Sequence, residues 1–139
     1  IGYVGSEGKS SGAHLHIEGT HAKPISWTFY PRGYSKKRVA DIYFDITSYI
    51  KDGIPADFTY TGWRFLQWTG DTFHPGVDVN SPNDLGKPVK AIFNGRVQFA
   101  QGKSGVRWLL GKLVPTYFNR GWGNHVFIEV DESNPGIKI

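Results

Sequence analysis

Eighteen glycines and eight prolines are spread through the 139 residues of this chain, a density that predicts many turns and few long helices. Short segments between these breakers read as strands. Ile1–Val4 is short and apolar, and a glycine-rich loop follows over Gly5–Gly12. Ala13–Glu18 then alternates with the period of a half-buried strand. In Arg38–Ile50 the residues Val39, Ile42, Ile46, Tyr49 and Ile50 follow helical spacing. Their β-branched and aromatic character weakens a helix, so the stretch reads as a connecting segment with one short helix. Ile54–Gly62 reads as extended. From Trp63 onward the chain reads as β: a strand over Trp63–Trp68, a turn at Thr69–Asp71 and a short strand over Val77–Asn80. Lys87–Phe93 and Arg96–Ala100 flank Asn94-Gly95, a strong local hairpin signal. Asn124–Val130 alternates again. An insertion over 101–123, with Trp108, Tyr117, Phe118 and Trp122, has the length of a functional flap. The expected fold class is mainly β: a small antiparallel sheet or sandwich domain with loops and at most short helices.

The length is that of one domain, able to bury a core without covalent staples. The chain opens on Ile1 and contains no methionine, so it reads as a processed or excised segment. With no cysteine, disulfides and thiolate zinc sites are excluded. No apolar run reaches the length of a membrane span. The net charge of +4 favours polyanions in general, but the basic residues are scattered apart from Lys36-Lys37-Arg38. No aromatic-basic module with nucleic-acid spacing is present.

Two short motifs carry chemistry. The first is Gly12-Ala13-His14-Leu15-His16-Ile17-Glu18. In a strand, residues i and i+2 share a face, so His14 and His16 point the same way and Leu15 the other. The second is His74-Pro75-Gly76-Val77-Asp78-Val79, where Pro75 and Gly76 prevent a regular helix and a turn can bring His74 and Asp78 together. Two imidazoles and one carboxylate suit zinc and leave a fourth position open to water, the catalytic rather than the structural arrangement. Such a metal lowers the pKa of its water and polarises a carbonyl. The remaining histidine would act as a general base or stabilise the transition state. Spacing alone leaves open which of His14 and His16 is the ligand.

The first motif, with Ser10-Ser11 before it and Ile1-Gly2-Tyr3-Val4-Gly5-Ser6 further upstream, resembles the C-terminal signature of the lysostaphin/LytM-type zinc metalloendopeptidases. Phe73-His74-Pro75-Gly76-Val77-Asp78-Val79 resembles their N-terminal signature, together with Gly86-Lys87-Pro88-Val89-Lys90-Ala91 and Asn94-Gly95-Arg96-Val97. Gly121-Trp122-Gly123-Asn124-His125-Val126-Phe127-Ile128 resembles the glycine-asparagine strand that follows. The resemblance covers residues 1–18 and about 63–130. It implies a small antiparallel β fold with one Zn2+ in a groove. It also implies cleavage of peptide bonds in bacterial peptidoglycan, outside the cell, in the periplasm or wall, or on a phage virion. By motif position, His74, Asp78 and His16 match metal ligands and His14 matches a catalytic histidine.

The order of the motifs is inverted relative to that family, and the Tyr-x-His-Leu-like stretch carrying a further catalytic histidine is absent. The chain is expected to be a single metallopeptidase-like domain in permuted order. Its C-terminal motif segment is 1–18, its connecting segment 19–62 and its N-terminal motif segment 63–139. Two other arrangements are open: a piece spanning two tandem domains, or a domain completed by a second chain or segment. A catalytically incomplete module that binds cell wall, or forms part of a phage tail or lysin, is the functional alternative. His21 and His125 are expected to be ordinary surface or hydrogen-bonded histidines, and either is a candidate for the missing one. Phe73, Trp108, Tyr117 and Trp122 are candidates for lining a groove, although core packing is the expected role of any one of them.

Overall fold

A computed structural model describes residues 1–6, 12–21, 34–50, 54, 57–101, 105–109, 112–116, 124–131 and 133. The described chain is mainly β, with small antiparallel sheets and two short helices, as the glycine and proline density predicts. The candidate ligands lie on or next to a three-stranded sheet. Strand β2 (Leu15–Thr20) lies between β3 (Tyr43–Phe44) and β4 (Gly76–Val79). Strand β1 (Gly2–Tyr3) pairs with β5 (Pro88–Val89), β6 (Gly95–Gln101) with β9 (His125–Val130), and β7 (Gly105–Leu109) with β8 (Lys112–Thr116).

The β2–β4 register sorts polar from apolar side chains. Leu15 faces Val79, His16 faces Asp78, Ile17 faces Val77 and Glu18 faces Gly76. Because cross-strand partners share a face, one side of this ribbon carries Leu15, Ile17, Val77 and Val79, and the other His16, Glu18 and Asp78. The apolar side joins two cores. Val79 packs with Val4 and Phe58, and Val77 with Ile46 and Ile50. Val79 and Ile50 are completely buried. Burial of each such side chain stabilises the fold by roughly 1.5–3 kcal/mol relative to exposure.

Residues 34–50 are built into this body. Helix α1 (Lys36–Ile42) starts at Ser35, whose hydroxyl accepts from the Arg38 N–H. A second helix, α2 (Thr47–Ile50), starts beside Asp45, whose carboxylate accepts from the Thr47 N–H. The expected single helix is thus two, because Tyr43 and Phe44 leave the helical path to pair with Thr20 and Gly19.

Two other expectations need correction. Trp63–Trp68 is not a strand: Arg64–Gln67 forms a turn with Leu66 in the left-handed region at φ 59°, and only Trp68 bridges to Phe73. Asn94-Gly95 is not a hairpin turn. Pro88–Val89 pairs with β1 instead, while Gly95 opens β6 opposite Val130. Gly95 is needed for closeness, since a Cβ there would lie 2.3 Å from the Glu129 carbonyl oxygen. Within the insertion, β7 and β8 form a two-stranded antiparallel hairpin. The side chains of Trp108, Tyr117 and Trp122 lie outside the described residues. No helix among those described is long and apolar enough to cross a membrane.

Candidate metal centre

Three backbone features place the candidate ligands. His16 and Asp78 are directly opposed by the β2–β4 register. The Asp78 N–H donates to the Trp63 carbonyl at 2.9 Å, which ties the outer edge of β4 to the preceding loop. His74 is gripped on both sides by the 64–67 turn: its N–H donates to the Gln67 carbonyl and its carbonyl accepts from the Leu66 N–H, each at 2.9 Å. Two glycines allow this closeness. A Cβ on Gly76 would sit 2.2 Å from the Ile17 carbonyl oxygen, and one on Gly62 would sit 2.4 Å from Asp78 Cβ. Pro75 cannot donate a backbone hydrogen bond, so the chain turns there and enters β4 at Gly76.

The side chains converge. Asp78 Oδ1 is 2.7 Å from His16 Nδ1 and 3.3 Å from His74 Nε2. One ligand atom from each of His16, His74 and Asp78 lies within 4.8 Å of the others. The two imidazole rings meet edge to face, with centroids 4.7 Å apart. A tetrahedral site with ligand bonds of roughly 2.1 Å has edges of about 3.4 Å, so small side-chain adjustments bring these atoms around a common ion. His74 and Asp78 are buried and His16 is partly so. Two imidazole nitrogens and a carboxylate oxygen fit a borderline metal, and the triad could hold a metal ion.

Electrostatics reinforce the pairing. Burial pushes the His16 imidazole down, but its hydrogen bonds to Asp78 and Glu18, with the charges of both carboxylates, carry it up to about 10. Burial pushes Asp78 up, but hydrogen bonds from His16 and His74 hold it well below the usual carboxylate range. His74 Nδ1, on the other side of its ring, is buried and has no hydrogen-bond partner among the described residues. An unsatisfied group of this kind costs about 1–3 kcal/mol.

His14 stands beside the triad. Its Nδ1–H donates to the Gly12 carbonyl at 2.9 Å, which leaves Nε2 as the basic nitrogen. That Nε2 lies 3.9 Å from Asp78 Oδ1. The structure thus separates two histidines that spacing could not: His16 is in the group that could hold a metal ion, and His14 is adjacent to it. The other histidines are elsewhere. His21 is exposed and packs its ring on Phe44, and His125 sits in β9 opposite Gln101. Phe73 packs in the Tyr34, Val39 and Tyr43 core and against Trp68, so core packing describes it better than a groove wall.

Sequence reasoning assigned no role to Glu18. Its carboxylate accepts from His16 Nε2 at 2.8 Å. Burial pushes the nearby Tyr43 phenol far above its ordinary range, and the Glu18 charge adds to that shift. The available signal was parity: Glu18 is two residues beyond His16 and shares its face. The chain matches no family model, no curated protein and no solved structure.

Proposed function

We propose that this chain is a zinc-dependent endopeptidase acting on the peptides of bacterial peptidoglycan. The observation that carries the reading is the convergence of His16 Nδ1, His74 Nε2 and Asp78 Oδ1, drawn from two motifs far apart in sequence. The likeness of those motifs to the lysostaphin/LytM-type signatures supplies the substrate class. His16, His74 and Asp78 would hold the ion, which when bound supplies an activated water and polarises the scissile carbonyl. His14 accepts the proton of the attacking water at Nε2, because its Nδ1–H is committed to Gly12. The buried apolar side of the β2–β4 ribbon keeps the ligand strands rigid while the chemistry proceeds on the other side.

Purified peptidoglycan incubated with the zinc-loaded protein should release new amino groups, and a chelator should abolish the release. His14→Ala should retain zinc but lower the rate by about 10²–10⁴-fold, the usual contribution of a general acid-base group. Zinc binding without hydrolysis of any peptidoglycan would refute the enzymatic reading. One observation favours a second reading, a wall-binding module without turnover. Of the chain's five histidines, only His14 stands beside the ligand triad as a possible proton carrier. That reading predicts wall binding that survives His14→Ala, with no turnover in either protein.

A further inference from the structure

We infer that Glu18 is a positioning residue for the metal centre, fixing the His16 ring so that Nδ1 is the nitrogen offered to the ion. The inference rests on the metal reading above. An imidazole can ligate through either nitrogen, and the side-chain rotamer decides which one faces the ion. In this site Glu18 Oε1 lies 2.8 Å from His16 Nε2, while Nδ1 points at Asp78 Oδ1. A carboxylate on the outer nitrogen of a ligating histidine sets its tautomer and ring orientation and raises its basicity. The Glu18 side chain is only 15% exposed, so this hydrogen bond is shielded from competing water. Room for it comes from the second motif. Gly76 is the cross-strand partner of Glu18, and a Cβ there would come within 2.8 Å of Glu18 Cγ. Gly76 therefore admits both the Ile17 backbone and the Glu18 side chain. The two histidine ligands are unequal in this respect, since no described residue partners His74 Nδ1.

The test is zinc titration of the whole chain and its Glu18→Ala, Glu18→Asp and Glu18→Gln variants, with 15N NMR of the His16 ring in the zinc-loaded state. The alanine variant and the shorter aspartate should each bind zinc about 10- to 100-fold more weakly. Their His16 signals should show ligation divided between Nδ1 and Nε2. The glutamine variant keeps an acceptor oxygen at the same reach and should retain the Nδ1 pattern, while binding zinc more tightly than the alanine variant. A side chain with a merely structural role would lower the melting temperature without changing which nitrogen is ligated. Circular dichroism identifies any variant that fails to fold, and the aspartate variant decides the matter if the alanine variant does. Wild-type zinc binding with unchanged affinity and unchanged Nδ1 ligation in the folded variants would overturn this inference alone. Absence of zinc binding by the wild type would overturn the metal reading and this inference with it.

Discussion

His16 donates from Nδ1 to Asp78 and from Nε2 to Glu18, at 2.7 and 2.8 Å. A zinc ion must displace the Nδ1 proton, because only a bare nitrogen ligates. With that imidazole raised to about 10, zinc binding near neutral pH should release close to one proton. Affinity should then rise about tenfold per pH unit until that pKa is reached. Calorimetric titration in buffers of different ionisation enthalpy measures the release, and a value near zero would contradict the His16 geometry. The same groups set the pH dependence of metal-free stability. A raised imidazole stabilises the fold fully below its ordinary value of 6.5, and this contribution is lost as pH climbs towards about 10. A depressed carboxylate stabilises above its ordinary value of 3.8, and that contribution is lost in acid. The chelated protein should therefore melt highest between these two values and lower on both sides. At this scale the sequence was highly informative. Residue types and strand parity picked out His14, His16, His74 and Asp78. They could not say which ring nitrogen faces the site, because that is set by the His16 rotamer and its partners Asp78 and Glu18.

At the scale of elements, the centre depends on two strands approaching without obstruction. Gly76→Ala would press a methyl group to 2.2 Å from the Ile17 carbonyl oxygen and break the β2–β4 pairing that opposes His16 to Asp78. Gly62→Ala would push on Asp78 Cβ from behind. Both variants should lose zinc affinity. Gly86→Ala is the matching control: φ is +79° and a Cβ there meets nothing within 4 Å. It should cost about 1–2 kcal/mol of stability from backbone strain, seen in urea unfolding, and leave zinc affinity unchanged. The motif-bearing strands were legible because alternation and flanking breakers agree there. Asn94-Gly95 misled because a turn signal is local, whereas Pro88–Val89 is claimed by a strand more than eighty residues earlier in the chain. Trp63–Trp68 misled because its aromatic and apolar content matches a strand, while the Leu66 backbone is turned by its bonds to the residues around His74.

For the whole molecule, residues 34–50 of the connecting segment are part of the body that carries the site. Ile46 and Ile50 share a core with Val77, the residue preceding Asp78, and β3 pairs along the far edge of β2. Ile50→Ala should destabilise the fold by about 2–5 kcal/mol, with tryptophan fluorescence and circular dichroism reporting one coincident transition. A separate, earlier transition would mean that residues 34–50 form an independent unit. The mainly β class was legible from glycine and proline density, but this docking was not. Helical spacing over Val39–Ile50 says nothing about which sheet receives it. What the inverted order of the motifs leaves to experiment is whether one chain completes one metal centre. Zinc titration of the wild type beside His16→Ala and His74→Ala, repeated over a dilution series, tests this most directly. One zinc per chain at every dilution, lost in each variant, is the expected result. A stoichiometry that falls on dilution, or zinc held as tightly by His16→Ala as by the wild type, would contradict it.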